Sequence, residues 1–195
     1  MKHRSTRELY EYWSERRGGR AAPERADIEP GPIRHVLGDT FILSFNPAVG
    51  HPFRLAGTRL CALVGRELKG EPFVDLWAQS SRHALRELTD TVGTETAGVV
   101  AGVAGRSLNG SSVELELLLL PLSHRRRLPA RFLGVLAPLT VPYWIGVDPV
   151  ADLLLGSLRH LDPALPSVAV APQPIQGSRR RNGFLVVDGG RSPQS

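Results

Sequence analysis

Cysteine and histidine are the residue types in this chain best suited to catalysis or metal binding, and their spacing supports neither. Cys61 is the only cysteine, so the chain cannot form an internal disulfide, and a thiolate nucleophile would need a histidine partner that the sequence does not identify. We therefore interpret Cys61 as a buried structural residue and predict a protein without catalytic residues or a metal site. The histidines, which show no spacing typical of zinc ligands, are His3, His35, His51, His83, His124 and His160.

Three closely spaced glycines are the next candidates for a functional role, because glycine-rich loops bind phosphate. Gly98, Gly102 and Gly105 lie in a strand-like run and not in a turn between a strand and a helix. A dinucleotide site needs the N-terminus of a helix behind its glycines. Close packing of the backbone explains these three glycines better.

Arginines give the chain its net charge of +5, and most of that charge belongs to one short segment. Residues 177–195 carry +3 of it, so the excess is a property of the C-terminal tail. This distribution disfavours nucleic acid as a partner and leaves binding by the tail as a distant alternative. The tail arginines are Arg179, Arg180, Arg181 and Arg191, and a second group, which we expect in a solvated loop, comprises Arg125, Arg126, Arg127 and Arg131.

Length and composition indicate a soluble protein with one domain and extended termini. The chain has 195 residues, of which 42% are hydrophobic and 22% are charged, close to the averages of globular domains. No uninterrupted apolar run is long enough to span a membrane, and residues 1–13 lack the apolar core of a signal peptide. We expect a cytoplasmic protein that does not enter the membrane.

Hydrophobic periodicity and turn residues predict an α+β domain. Strands are expected where apolar residues alternate, and helices where they recur every three or four positions. The predicted elements are a helix from Ser5 to just before Gly18, strands over 41–45 and 53–56, short helices over 58–64 and 72–77, a longer helix over 80–93, strands over 97–108, 112–122 and 131–140, and a helix over 153–161.

Local signals support several of these elements. Ser5 and Glu8 have the spacing of a capping box, which predicts the start of the first helix. Arg86 and Asp90 have the spacing of an ion pair on the longer helix. The Asn109-Gly110 pair predicts a tight hairpin between two strands.

The chain divides into three predicted parts. Residues 1–36 form an N-terminal helix and a proline-bearing linker, and residues 37–142 form the domain. Residues 143–195 are rich in proline and end in the arginine tail, so we expect an extension that is largely irregular or disordered.

Several segments resemble the PAS domain family. The sequence FRLAGTRLC at residues 53–61 and GRELKG at residues 65–70 resemble the second strand and first helices of PAS domains. The opening RELYEYW at residues 7–13, with PER at 23–25 and DI at 27–28, is similar to the single-domain PAS proteins of alphaproteobacteria. Those proteins have no attached kinase, cyclase or DNA-binding module, so any output must pass through a partner.

The resemblance implies both a fold and a class of function. The fold would be a five-stranded antiparallel sheet with helices over one face, an N-terminal amphipathic helix and a flexible C-terminal tail. The function would be that of a non-enzymatic bacterial sensor or adaptor in signal transduction, acting through dimerisation and a signalling protein partner. The alternative is a sensor that holds a small molecule or cofactor, haem or flavin.

The PAS resemblance also points to a ligand pocket between the sheet and the helices. Large apolar side chains normally fill a small domain, so the same residues would serve equally well as plain core, and we favour that interpretation. The candidate pocket residues are Leu55, Leu60, Phe73, Trp77, Leu85, Leu88, Val103 and Leu115.

Neither cofactor of the alternative is firmly implied by the residues. His83 lies on the helix that carries the axial ligand in haem-binding PAS domains, but helical geometry turns it away from the face of Leu88. Cys61 is followed by Ala-Leu-Val and not by the Arg-Phe-Leu of light-sensing relatives.

An apolar outer face of the sheet is the remaining prediction. Leu118 and Leu120 extend the apolar character of the strand over 112–122 to both of its faces, and such a surface needs a cover. The N-terminal helix, with Leu9, Tyr10 and Trp13, is the candidate cover, either from the same chain or from a second one. We expect a homodimer built on this helix and the outer sheet.

Overall fold

An antiparallel six-stranded sheet is the centre of the first of two structural units, which spans Met1–Pro163. The computed structural model describes residues 1–95, 97–124, 127–161, 178–181 and 184–187. The second unit, Ala164–Ser195, contains an antiparallel hairpin in which Arg179 pairs with Val186. The arginines at 179–181 lie in this hairpin, whereas Arg191 and most of the predicted flexible tail lie outside the described residues.

The elements follow the predicted order closely as far as residue 138. The helices are α1 (Arg4–Arg17), α2 (Thr58–Val64) and α3 (Arg82–Glu95), with short 3-10 turns at Arg25–Asp27, Leu37–Asp39, Pro47–Val49, Phe73–Leu76 and Gln79–Ser81. The strands are β1 (Thr40–Ser44), β2 (Phe53–Ala56), β3 (Gly98–Ser107), β4 (Ser112–His124), β5 (Arg127–Pro138), β6 (Val150–Leu161), β7 (Ser178–Arg181) and β8 (Phe184–Val187). The order across the sheet is β2-β1-β5-β4-β3-β6.

The sixth strand corrects the prediction of a five-stranded sheet. Residues 153–161, predicted as a helix, belong to β6, which pairs with β3 so that Val103 faces Leu155. The leucines in this segment are spaced in a way that suits a helix as well as a strand, so periodicity does not distinguish the two structures. They lie at positions 153–155, 158 and 161. The unpaired backbone groups along the free edge of β3 favour the strand, and the sheet extends beyond the predicted boundary at residue 142.

The start of α1 differs from the predicted capping box. His3 precedes the helix, and its Nδ1 accepts a hydrogen bond from the backbone N–H of Ser5 at 3.1 Å. Ser5 lies inside the helix, where its hydroxyl donates to Asp39 at 2.7 Å. The serine that local spacing assigned to a cap therefore makes a tertiary contact.

Two further local predictions have different outcomes. The Asn109-Gly110 turn joins β3 to β4, and Gly110 has a φ of +85°, which favours glycine. Arg86 and Asp90 form no ion pair, although both lie on α3 and both are described. In the second arginine group, Arg127 and Arg131 belong to β5 and not to a loop, while 125 and 126 lie outside the described residues.

The sheet separates two apolar cores. The inner core lies under α2, α3 and the 3-10 turns, and the outer core lies between the sheet and α1 with its linker. Gly134 of β5 lets the Phe41 ring of the inner core pack close to the sheet, since a Cβ atom there would come within 2.2 Å of that ring. No helix in the described residues is long and apolar enough to cross a membrane.

Candidate functional site

Seven of the eight candidate pocket residues lie together in the inner core. None of the seven is more than 4% exposed, and they pack between the sheet and the helices. They are Leu60, Phe73, Trp77, Leu85, Leu88, Val103 and Leu115. Leu55 does not join them: it pairs with Ile42 of the outer core and is 43% exposed on the outer face.

Aromatic rings occupy the space between the sheet and the 3-10 turn at Phe73–Leu76. Phe41 of β1 and Phe53 of β2 lie 5.5 and 5.7 Å from the ring of Phe73, and Trp77 lies 5.6 Å from it on another side. Ring separations of this size are typical of packed aromatic clusters. Side chains therefore fill this region of the inner core.

The inner core offers little that would hold a flavin or a haem. The core residues are apolar, and only the indole N–H of Trp77 is a buried donor without a partner there. A flavin ring needs several polar partners along its edge, and a haem needs an axial ligand. The His83 side chain is 86% exposed, and Cys61 is buried on α2 without the motif of light-sensing relatives. The described residues thus do not fit either group.

The outer face of the sheet is covered by α1 of the same chain. Leu118 and Leu120 are fully buried against Leu9 and Trp13, and the indole N–H of Trp13 donates to the carbonyl of Pro121 at 2.9 Å. The helix that covers Leu118 and Leu120 thus comes from the same chain, which is one of the two alternatives that the sequence allows. Tyr10, the fifth candidate of this surface, stacks on Trp13 and stays half-buried.

Two buried carboxylates attach α1 to the sheet. Glu116 of β4 accepts hydrogen bonds from the backbone N–H groups of Lys2 and His3 at 2.7 and 2.8 Å. Asp39 accepts one from the hydroxyl of Ser5, and the Arg59 guanidinium on α2 donates two more to it. The contact with Asp39 raises the pKa of Arg59.

An open cleft of about 280 Å³ lies beside the inner core. It lies between the loop that joins β1 to β2, the turn at Phe73–Leu76 and the first half of α3. Phe73 and Leu85 form part of its floor, so two of the predicted pocket residues line it. Its polar lining comes from His51, Asp75, Arg82, Arg86, Thr89 and Asp90.

His51 is the most unusual residue of this cleft. It is the only non-glycine residue with a positive φ (+59°) in the described part of the chain, and it is 4% exposed. Its ring lies 5.4 Å from Phe45 and 5.3 Å from Phe132. Positive φ costs free energy in a non-glycine residue, and the surrounding packing keeps His51 in this conformation.

Hydrogen bonds determine which nitrogen of His51 carries the proton. Nδ1 accepts from the backbone N–H of Asn46 at 3.3 Å, so the neutral ring has its hydrogen on Nε2. Burial lowers the pKa of His51, and the charge of Asp90 acts in the opposite direction. A backbone hydrogen bond with Ser44 also opposes the effect of burial, but burial is the largest cause, so the ring is held neutral near pH 7.

The charged residues of the cleft differ in how they are paired. Arg82 lies 3.5 Å from the carboxylate of Asp75 and donates from Nε to the carbonyl of Trp77. The guanidinium of Arg86 and the carboxylate of Asp90 make no hydrogen bond or ion pair with any described residue. The cleft thus presents one free positive and one free negative group.

Sequence reasoning did not identify His51 as part of a site. The spacing of the histidines is not typical of zinc ligands, so it gives His51 no role. Among the described residues the structure contains no group of potential metal ligands. The available signal was its position, directly after the Asn46–Gly50 turn and between two strands with aromatic residues. That position predicts burial but not a positive φ.

Comparison with known proteins places the fold. A family model described as PAS domain matches residues 1–137. Similar solved structures include a LOV protein of Rhodobacter sphaeroides, at 17% identity over 53% of this chain and 60% of that chain, with a TM-score of 0.43. An RNA-binding light-oxygen-voltage receptor matches at 17% identity over 57% and 33% of the two chains, with a TM-score of 0.46.

A blue-light activated histidine kinase of Erythrobacter litoralis is also similar, at 14% identity over 56% of this chain and 36% of that chain, with a TM-score of 0.43. The match spans less than two thirds of each of these three structures. Among curated proteins, none matches the chain. The family model covers well over half of the sequence, and this chain therefore belongs to the PAS domain family.

Proposed function

We propose that this chain is a non-enzymatic signalling module of the bacterial cytoplasm that acts by binding a second copy of itself and a protein partner. Membership of the PAS family supports a sensory role, since such domains are typically sensory modules. Because aromatic side chains fill the inner core, we expect partners to bind at the surface of the domain. The observation that carries the proposal is an exposed apolar patch at one end of the sheet.

This patch consists of residues from two adjacent loops. Leu108 of the β3–β4 turn is 88% exposed, and Tyr143 and Val147, which follow β5, are 97% and 85% exposed. The two loops are joined by a hydrogen bond from Asn109 to Asp148 at 3.0 Å. Apolar residues that cluster on the surface of a small domain are typical of protein interfaces, so we assign the self-association to this apolar patch.

The residues first predicted to form the dimer interface are not suited to test it. Leu118 and Leu120 are fully buried under α1, so a charge at either position would destabilise the fold of each chain. A monomer obtained that way would say nothing about an interface. The exposed patch avoids this difficulty, because its side chains make few contacts in the folded chain.

The test compares Tyr143→Glu and Val147→Glu with the wild-type protein by sedimentation velocity. We expect a wild-type dimer at micromolar concentration and monomers of unchanged thermal stability for both variants. Leu55→Glu, on the outer face and also exposed, is the matched control and should remain dimeric. A wild-type monomer, or dimers for both patch variants, would contradict the assignment.

A sensor that binds a small molecule is the second candidate function. The cleft beside His51 favours it, because the cleft is open and lined by both apolar and charged groups.

A further inference from the structure

An apolar groove of about 300 Å³ opens on the outer face of the sheet, beside the part of that face that α1 covers. On the sheet side it is lined by Ile42 of β1 and Leu133 of β5, and on the other side by Ile28 and Ile33 of the linker that follows α1. All four side chains belong to the outer core. The groove therefore continues the apolar contact between the linker and the sheet out to the surface.

A β-bulge in β2 turns Leu55 toward this groove. Phe53 pairs with Leu43 of β1 and packs into the inner core. The neighbouring residue of β1, Ile42, pairs with Leu55, which leaves Arg54 as the extra residue of the bulge. Without that residue, strand alternation would point Leu55 to the same face as Phe53. Leu55 instead lines the groove and is 43% exposed, so the bulge supplies an apolar wall that the chain does not cover.

A close backbone contact keeps one end of the groove free of side chains. Gly38 and Gly57 both line the groove. A Cβ atom at Gly57 would lie 2.1 Å from the carbonyl oxygen of Leu37, so a larger residue there would require the backbone to shift. The space at this end is thus set by the path of the backbone.

Arg25 is the only charged residue among the described residues that line the groove. Its Nη1 donates to the carbonyl of Ile28 at 3.1 Å, and its guanidinium forms no ion pair with a described residue. The carboxylate of the same 3-10 turn, Asp27, is paired with Arg20 instead. A guanidinium has five N–H donors in a planar fork that matches a carboxylate. Arg25 therefore offers an anion several free donors at the side of an apolar groove.

We infer that the groove formed by Ile33, Leu55 and Arg25 binds a free medium-chain carboxylate, with the alkyl chain along the apolar lining and the carboxylate at Arg25. A mostly apolar lining with a few polar groups that fix orientation is typical of small-molecule sites. Membrane surfaces are normally bound through clusters of basic residues, and a single arginine lines this groove. The inference depends neither on self-association through the apolar patch nor on the cleft beside His51.

Probes with the same alkyl chain and different head groups test the ligand class. Decanoate, decanol and decyltrimethylammonium are titrated into the full-length protein by calorimetry, each below its micellar concentration. We expect one decanoate per chain with saturable binding, decanol about tenfold weaker because a charged hydrogen-bonded contact is lost, and no saturable binding of the cation. Octanoate should bind about tenfold more weakly than decanoate, since each buried methylene changes the affinity by about fourfold.

Two results of these titrations would overturn the inference. The first is the absence of saturable binding by decanoate, and the second is binding of decanol as tight as that of decanoate. Neither result bears on the apolar patch, because self-association is measured separately by sedimentation.

Variants test the position of the site. Arg25→Gln should weaken decanoate binding about tenfold and leave decanol binding unchanged, a selectivity that a merely structural effect would not produce. Leu55→Ala should weaken both probes about fivefold, because it removes part of the apolar wall. Arg54→Gln and Leu158→Ala are the matched controls, since Arg54 is exposed on β2, Leu158 is 44% exposed on β6, and neither lines the groove. Undiminished decanoate binding by both groove variants would contradict the assignment.

Vesicles distinguish a free acid from a membrane lipid with an anionic head group. The full-length protein is sedimented with vesicles of phosphatidylglycerol and phosphatidylcholine, and we expect it to stay in the supernatant. Sedimentation with the vesicles that is lost in Arg25→Gln would show that the groove takes a lipid from the membrane, and the inference of a free carboxylate would be wrong.

Discussion

At the scale of single residues, His51 links the backbone of the β1–β2 loop to the acid–base behaviour of the protein. The ring is neutral because burial lowers its pKa, and neutrality lets Nδ1 accept the hydrogen bond from Asn46. Protonation would place a hydrogen on that nitrogen and remove the acceptor. The same residue therefore stabilises the loop that forms one wall of the cleft.

This arrangement predicts a loss of stability at mildly acidic pH. In the unfolded chain a histidine has a pKa of about 6.5. In the folded chain the pKa of His51 is lowered, so the ring stays neutral further into the acid range. As the pH falls below the unfolded value, the unfolded state takes up a proton that the folded state resists, so stability decreases. The contribution of His51 to stability is fully present above that pH.

Thermal unfolding between pH 8 and 5.5 measures this effect. We expect the decrease in unfolding temperature to be smaller for His51→Asn, a residue type that tolerates positive φ, than for the wild type. His83→Gln removes an exposed histidine and should leave the wild-type decrease unchanged. Equal decreases for wild type and His51→Asn would show that another group is responsible.

Single residues also show how far the sequence could be interpreted. The burial of Cys61, as expected for a free cysteine, and the exposure of His83, which follows from helical periodicity, agree with the structure. The role of His51 could not be predicted, because it depends on a backbone conformation and on Phe132, which is distant in sequence. Leu55 was assigned to the wrong face for a similar reason, since β2 is too short for its alternation to be decisive.

At the scale of elements, Asp39 connects three separate pieces of the fold. Its buried carboxylate accepts hydrogen bonds from Ser5 of α1 and from Arg59 of α2, and it belongs to the 3-10 turn that precedes β1. Hydrogen bonds to a charged group are worth more than neutral ones. The N-terminal helix is thereby fastened to the side of the sheet opposite α3.

We predict that Asp39→Asn lowers the free energy of unfolding by about 2 kcal/mol, because it weakens charged hydrogen bonds of a buried group. Chemical denaturation measures this change. Asp75→Asn, which disrupts a partly exposed ion pair with Arg82, is the control and should cost less than about 1 kcal/mol. A cost for Asp39→Asn no larger than that of the control would contradict the structural role of Asp39.

Elements with strong local signals were predictable and the others were not. The hairpin at Asn109-Gly110 and the helix with Leu85 and Leu88 follow from turn chemistry and periodicity. The β6 strand was missed because clustered leucines suit either structure, and the free edge of β3 decides between them. The helix cap at Ser5 was wrong because Asp39 is a stronger partner for its hydroxyl than the backbone.

At the scale of the whole molecule, both faces of the sheet are occupied by the chain itself. Aromatic residues fill the inner face around Phe73, and α1 covers Leu118 and Leu120 on the outer face. The outer face stays open at the edge strand β2, where Leu55 is 43% exposed, so we expect partners to bind at the periphery of the sheet. The apolar patch around Tyr143, the cleft beside His51 and the groove at Leu55 are the peripheral places for which specific functions are proposed.

A filled inner core and partner sites at the periphery together predict what the purified protein carries. A native mass spectrum of the purified full-length protein tests this expectation most directly, because it reports the oligomeric state and any retained molecule together. We predict a dimer with the mass of two bare chains, with no addition of flavin or haem size. A stoichiometric addition of that size on each chain, or a monomer at every micromolar concentration, would contradict that prediction.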